Sequence, residues 1–129
     1  MKIIINSKQD YGTHVDEFTE EFECSVEHNN NILIISFEGG HIKLEENKMI
    51  YERNENKIII QPDVVTECDY ETEYGTFVLD IKGLSLENLY LANKDRLGTP
   101  VLGTIAIARY QIHMVGVEPY ENIVEIMIK

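Results

Sequence analysis

The stretch from residue 70 to 83, YETEYGTFVLDIKG, most constrains what this chain can fold into. Upstream of Tyr74-Gly75, Glu67, Asp69, Glu71 and Glu73 fall on one face of an extended segment, and Cys68, Tyr70 and Thr72 fall on the other. Downstream, Phe77, Leu79 and Ile81 alternate with Val78, Asp80 and Lys82. A repeat of two is the period of a strand, whose successive side chains point to opposite sides. Two such segments about a Tyr-Gly turn predict paired strands, with Phe77, Leu79 and Ile81 facing the core.

The same period recurs along the chain. KIIINSKQ near the start holds a β-branched run, and Phe22, Cys24 and Val26 share one face of the next segment. ILIISFEG reads as a buried strand bounded by turns at His28–Asn31 and Gly39-Gly40. HIKLEE and KMIYER meet at Asn47-Lys48, and Asn54–Asn56 leads into KIIIQ, which Pro62 ends because proline has no N–H to give a sheet ladder. In LSLENLYLA the leucines fit neither period cleanly; a bulged strand is preferred, with a short helical turn as the alternative. NKDRLGTP is read as a loop. From Val101 to Val115, Ala106, Ala108, Tyr110, Ile112 and Met114 share the face better suited to the core, while Arg109, Gln111 and His113 share the other. NIVEIMIK closes the chain with Val124, Ile126 and Ile128 on one side.

About ten short strands, with turns every 8–12 residues and no amphipathic helix, predict an all-β chain. Consecutive hairpins close most simply as an antiparallel up-and-down β-barrel of about 8–10 strands. The 129 residues fit one domain, 1–129, long enough to bury a core without a disulfide or metal staple. Eleven basic against 23 acidic side chains leave a net charge of −12, which disfavours nucleic acid and anionic membrane surfaces as partners. The charge is lopsided: residues 1–75 carry −11 and the remainder −1. Two cysteines without a CxxC pair read as reduced thiols. KIIINSKQ turns polar too early for a signal peptide, and no run approaches the roughly 18 apolar residues of a membrane span, so a cytoplasmic location is expected.

YETEYGTFVLDIKG, GTIAIARYQIHMVG and NIVEIMIK together resemble the C-terminal half of the YwiB-like bacterial proteins, a family with no assigned activity. The shared pattern is a tyrosine, a threonine two residues on, a Tyr-Gly turn, an alternating strand, then Gly-x-Ile-x-Ile-x-x-Tyr and a final β-branched strand. MIYERNENKIIIQ is similar to that family's strand–Arg–turn–strand segment, with Arg53 at the arginine position. IIINSKQ and ILIISFEG match more weakly. The resemblance implies a calycin-like, lipocalin-type barrel and no activity. Asn54-Glu55 departs from it, standing where the family carries a glycine turn.

The carboxylates of Glu67, Asp69, Glu71 and Glu73 stand roughly 6.6–6.8 Å apart along a strand, a spacing at which two could share a hard cation. A wet, solubilising face is the favoured alternative, with Lys57 or Lys82 on a neighbouring strand as counter-charge. Exposed carboxylates in a row share one environment, whereas acid–base catalysis needs pKa values pushed apart. No nucleophile elbow, catalytic triad order or phosphate loop is present. His14, His28, His41 and His113 lack ligand spacing, and His28 and His41 are placed at turns. The expectation is therefore a non-enzyme without cofactor or metal. Arg53, Tyr70, Thr72 and Tyr110 are the candidate ligand-binding residues, near strand ends where hydroxyls and a guanidinium reach a barrel mouth; ordinary packing of the tyrosines and a paired Arg53 are the alternatives. Two functions fit. One is binding of a small apolar or amphipathic molecule in the barrel. The other is a filled barrel acting as an interaction or homo-oligomerisation module. An interior void above about 300 Å³ favours the first.

Overall fold

A computed structural model describes residues 1–29, 31–90 and 101–129 of the chain. Ten strands follow in order: β1 (Lys2–Asp10), β2 (Val15–Asn29), β3 (Ile32–Phe37), β4 (Gly40–Glu45), β5 (Lys48–Arg53), β6 (Asn56–Ile60), β7 (Val65–Thr72), β8 (Gly75–Asn88), β9 (Gly103–Met114) and β10 (Val117–Ile128). No described residue is helical, and no helix long and apolar enough to cross a membrane is found among them. LSLEN continues β8 as a strand, with a bulge between Gly83 and Ser85, and Leu89-Tyr90 turn. The loop expected at 93–100 lies outside the described residues.

Every ladder is antiparallel, and the sheet runs β6-β5-β4-β3-β2-β1-β10-β9-β8-β7. Sequence neighbours pair throughout, as an up-and-down meander requires, and the two terminal strands pair with each other. Lys2 N donates to Lys129 O at 2.9 Å and Lys129 N returns a bond to Lys2 O at 2.8 Å. The discontinuity in this nearly closed barrel therefore falls in mid-chain, between β6 and β7.

That seam is held by side chains in place of a ladder. Thr66 Oγ1 donates to Ile59 O and Cys68 Sγ to Lys57 O, both at 2.9 Å, while Glu71 N donates to Asn56 Oδ1 at 3.0 Å. An unpaired edge invites pairing with another chain; here two β6 carbonyls are already occupied. A lost side-chain hydrogen bond costs about 1 kcal/mol when its partner can find water. Thr66→Val is expected to lower unfolding stability by about that amount in urea titrations. No change would mean that Thr66 does not hold the seam.

Inward positions supply the core. Ile3 and Ile5 of β1, Leu33 and Ile35 of β3, and Ile126 and Ile128 of β10 are at most 2% exposed. Ala106 and Ala108 are fully buried on β9, where small side chains suit a crowded interior. Leu79 and Ile81 are buried as expected, but Phe77 is 43% exposed, because β8 carries it toward the end of the hairpin at Tyr74-Gly75. His28 and His41 lie within β2 and β4, not in turns. His28 packs edge-on against Tyr90, and His41 stands 3.6 Å from Glu52.

Candidate functional site

A cavity of about 310 Å³ occupies the lumen between β1, β5, β6, β7, β9 and β10. Its floor is apolar: Ile5, Met49, Ile60 and Val124 are buried, and Ile58 is half-buried above them. Its rim is polar and wetter, with Ser7, Arg53, Asn54, Asn56 and Tyr70. Two further depressions, of about 450 and 380 Å³, lie outside the barrel. None of their lining residues is buried, so they are open troughs with nothing to sequester a ligand.

Period-two alternation builds the Arg53 side of the cavity. Met49, Tyr51 and Arg53 project inward from β5, and Ile60, Ile58 and Asn56 face them across the hairpin in register. The hairpin turns at Asn54, which takes a left-handed φ of 56°. Asparagine tolerates that conformation, which explains how the turn forms without a glycine. Arg53 Nη1 meets Glu20 Oε2 of β2 at 2.5 Å, and the guanidinium lies 5.0 Å from the centre of the Phe22 ring. Phe22 stacks on Phe37 at 5.1 Å, and Phe37 contacts Tyr51. Burial pushes the Tyr51 phenol above its ordinary value, while the hydrogen bond from Arg53 acts the other way. With Glu20 balancing it, Arg53 contributes hydrogen-bond donors to the lumen and little net charge.

Tyr110 stands on the far wall, on β9, only 6% exposed. Burial raises its phenol pKa to about 12, and a hydrogen bond with Asn122 works against the rise. Asn122 faces Tyr110 directly in the β9–β10 ladder.

Of the four candidate residues, Arg53, Tyr70 and Tyr110 are brought together in this cavity and Thr72 is not. Thr72 Oγ1 donates to Gly75 O and accepts from Tyr74 N, so its hydroxyl shapes the Tyr74-Gly75 turn. Tyr51, Glu20 and Asn122 were not singled out from the sequence. Tyr51 alternates with Met49 and Arg53, and Asn122 with Val124 and Ile126, so their inward direction was available from the pattern.

The acidic row lies on the exposed side of β7 and the hairpin. Among the described residues no three His, Cys, Asp or Glu side chains come together as a metal site. Lys57 does not balance the row: its ammonium is 3.6 Å from Glu52, its register partner on β5. Arg109, Gln111 and His113 lie off the core face, with His113 Nε2 3.2 Å from Gln111 Oε1.

No family model matches the chain, and no curated protein is similar to it in sequence. Among solved structures, the crystal structure of the YwiB protein from Bacillus subtilis is similar in fold, with a TM-score of 0.56 and 12% identity over 99% of this chain and 90% of that one. The likeness supports a YwiB-like barrel.

Proposed function

We propose that the chain is a non-catalytic, calycin-like member of the YwiB-like group that holds one small amphipathic ligand inside the barrel. The observation that carries this reading is the graded cavity of about 310 Å³, apolar at Ile5, Met49, Ile60 and Val124 and polar at Arg53, Tyr51 and Asn56. A void of that size lies at the lower end of the range for small-molecule sites, which pair apolar walls with a few placed polar groups. It favours ligand binding over a filled barrel acting through its outside. The ligand's polar end is not an anion: Glu20 already balances Arg53, and the net charge of −12 repels free anions. Two free cysteines, Cys24 and Cys68, agree with a reducing, cytoplasmic setting.

Native mass spectrometry of protein titrated with decanamide tests the reading and also reports any molecule that co-purifies. One ligand per chain is expected. Ile58→Phe adds bulk to the lumen from a half-buried position. It is expected to weaken decanamide binding at least tenfold, about 1.4 kcal/mol, with little change in melting temperature. Wild-type protein that takes up no decanamide, or a variant that binds as well as wild type, would remove the lumen as the site.

A further inference from the structure

The mouth of the lumen is biased toward hydrogen-bond donors. No carboxylate or imidazole is among the side chains that line the cavity. Asn54 carries a carbonyl, but it stands on the hairpin turn, with its Oδ1 3.3 Å from where a side chain on Gly39 would begin. Arg53 has N–H donors in a planar fork and no acceptor. Glu20 engages it at Nη1, and even a second contact, with Tyr51, leaves N–H groups to give. Asn56 faces Arg53 directly in the β5–β6 ladder, and both line the cavity from half-buried positions. The seam orients the Asn56 amide. Glu71 N donates to Asn56 Oδ1 at 3.0 Å, and a backbone N–H can only donate, so the amide oxygen lies at β7 and the NH2 is the other end. Asn56 makes no other side-chain hydrogen bond among the described residues. A guanidinium and an amide NH2 therefore stand side by side at the mouth, each with a donor to spare.

We infer that Arg53 and Asn56 form a two-donor fork that grips the oxygen of a neutral carbonyl group, so that the barrel selects long-chain ketones, esters or amides. The inference rests on the lumen being a ligand site and specifies the head group that it takes. One lone pair of the carbonyl oxygen accepts from the Arg53 guanidinium and the other from Asn56 Nδ2. An ammonium head is excluded, since it has no lone pair to offer and Arg53 repels it. A carbonyl seated on the fork sends its chain past Ile58 and Ile60, which follow Asn56 on the same face of β6, toward Ile5 and Val124.

Methyl nonyl ketone and methyl nonyl carbinol test the fork, because they share one carbon skeleton and differ in a carbonyl against a hydroxyl. Asn56→Asp keeps an oxygen to accept from Glu71 N, so the seam bond survives, while the free end changes from donor to acceptor. By calorimetry near neutral pH, the ketone-to-carbinol affinity ratio is expected to fall about tenfold or more in this variant, since the ketone loses a donor and the carbinol O–H gains an acceptor. A ratio unchanged from wild type overturns the fork and leaves the lumen reading standing, as does wild-type protein that takes decanamide but neither of these. Wild-type protein that binds none of the three overturns both. Isotope-edited infrared spectra of the carbonyl-labelled ketone on wild-type protein decide the point even if the variant does not fold. Two donors, one of them charged, are expected to pull the carbonyl stretch below its position in water; a stretch at or above that position overturns the fork.

Discussion

Gly83→Ala is expected to be the most damaging single methyl addition described for this barrel. A Cβ at residue 83 would sit 2.1 Å from Gln61 O, 2.6 Å from Gln61 C and 3.0 Å from Gln61 N. All three are backbone atoms, so no side chain can swing aside. The residue also ties the connection after β6 to β8: Gly83 N donates to Val64 O and Asp63 N donates to Gly83 O, both at 3.0 Å. Asp63 accepts a left-handed φ of 64° to make this contact. Overpacking typically costs 1–3 kcal/mol, and each displaced hydrogen bond adds about 1 kcal/mol. The expected loss is about 3–5 kcal/mol, a drop of roughly 10 °C or more in melting temperature for a domain of this size. Lys82→Ala, one residue away and exposed, is the control and is expected to stay within about 0.5 kcal/mol of wild type. A Gly83→Ala protein as stable as the control would show that the close approach to Gln61 does not hold the seam region together.

The contact at Gly83 marks where sequence reasoning stops. Strands and turns were legible because alternation is local: each inward side chain repeats two residues on, and asparagine, glycine and proline punctuate the runs. The same alternation carried Arg53, Tyr70 and Tyr110 to the lumen. It mislocated Thr72, which has the right parity but sits so near the turn that its hydroxyl is consumed by Tyr74 and Gly75. It mislocated Phe77 in the same way, since parity gives the face of a strand and not the depth at which the barrel ends. Of the two lysines offered as counter-charge to the acidic row, Lys57 pairs instead with Glu52, its register partner on β5. The seam was not legible at all. Both termini look like free ends in a linear reading, yet β1 and β10 form a ladder, and the gap opens in mid-chain where Pro62 and Asp63 carry the chain out of β6. Asn122 was legible and passed over: an asparagine in register with Val124, Ile126 and Ile128 is a polar group in an apolar row.

The Tyr110 phenol makes alkaline stability the second large expected effect. Its pKa is raised from the ordinary value of 10 to about 12, chiefly because burial penalises the phenolate. The folded chain therefore holds the proton more tightly than the unfolded chain. The stabilisation is complete below about pH 10, where both states are protonated, and is lost as pH rises toward 12, where the unfolded chain has released its proton and the folded chain has not. Two pKa units correspond to about 3 kcal/mol. Tyr51, Tyr120, Cys24 and Cys68 are shifted in the same direction by burial, so wild-type protein should lose stability steeply above pH 10 for several reasons at once. Tyr110→Phe isolates one of them. Between pH 9 and pH 12 its unfolding free energy in urea is expected to fall by about 2–3 kcal/mol less than that of wild type. Near neutral pH the variant should be slightly the weaker of the two, because Asn122 loses its partner. The two stability curves should therefore converge or cross as pH rises. Curves that stay parallel to pH 12 would mean that the Tyr110 phenol ionises as readily in the folded barrel as in the unfolded chain, and that the inner wall of the lumen is wetter than its burial indicates.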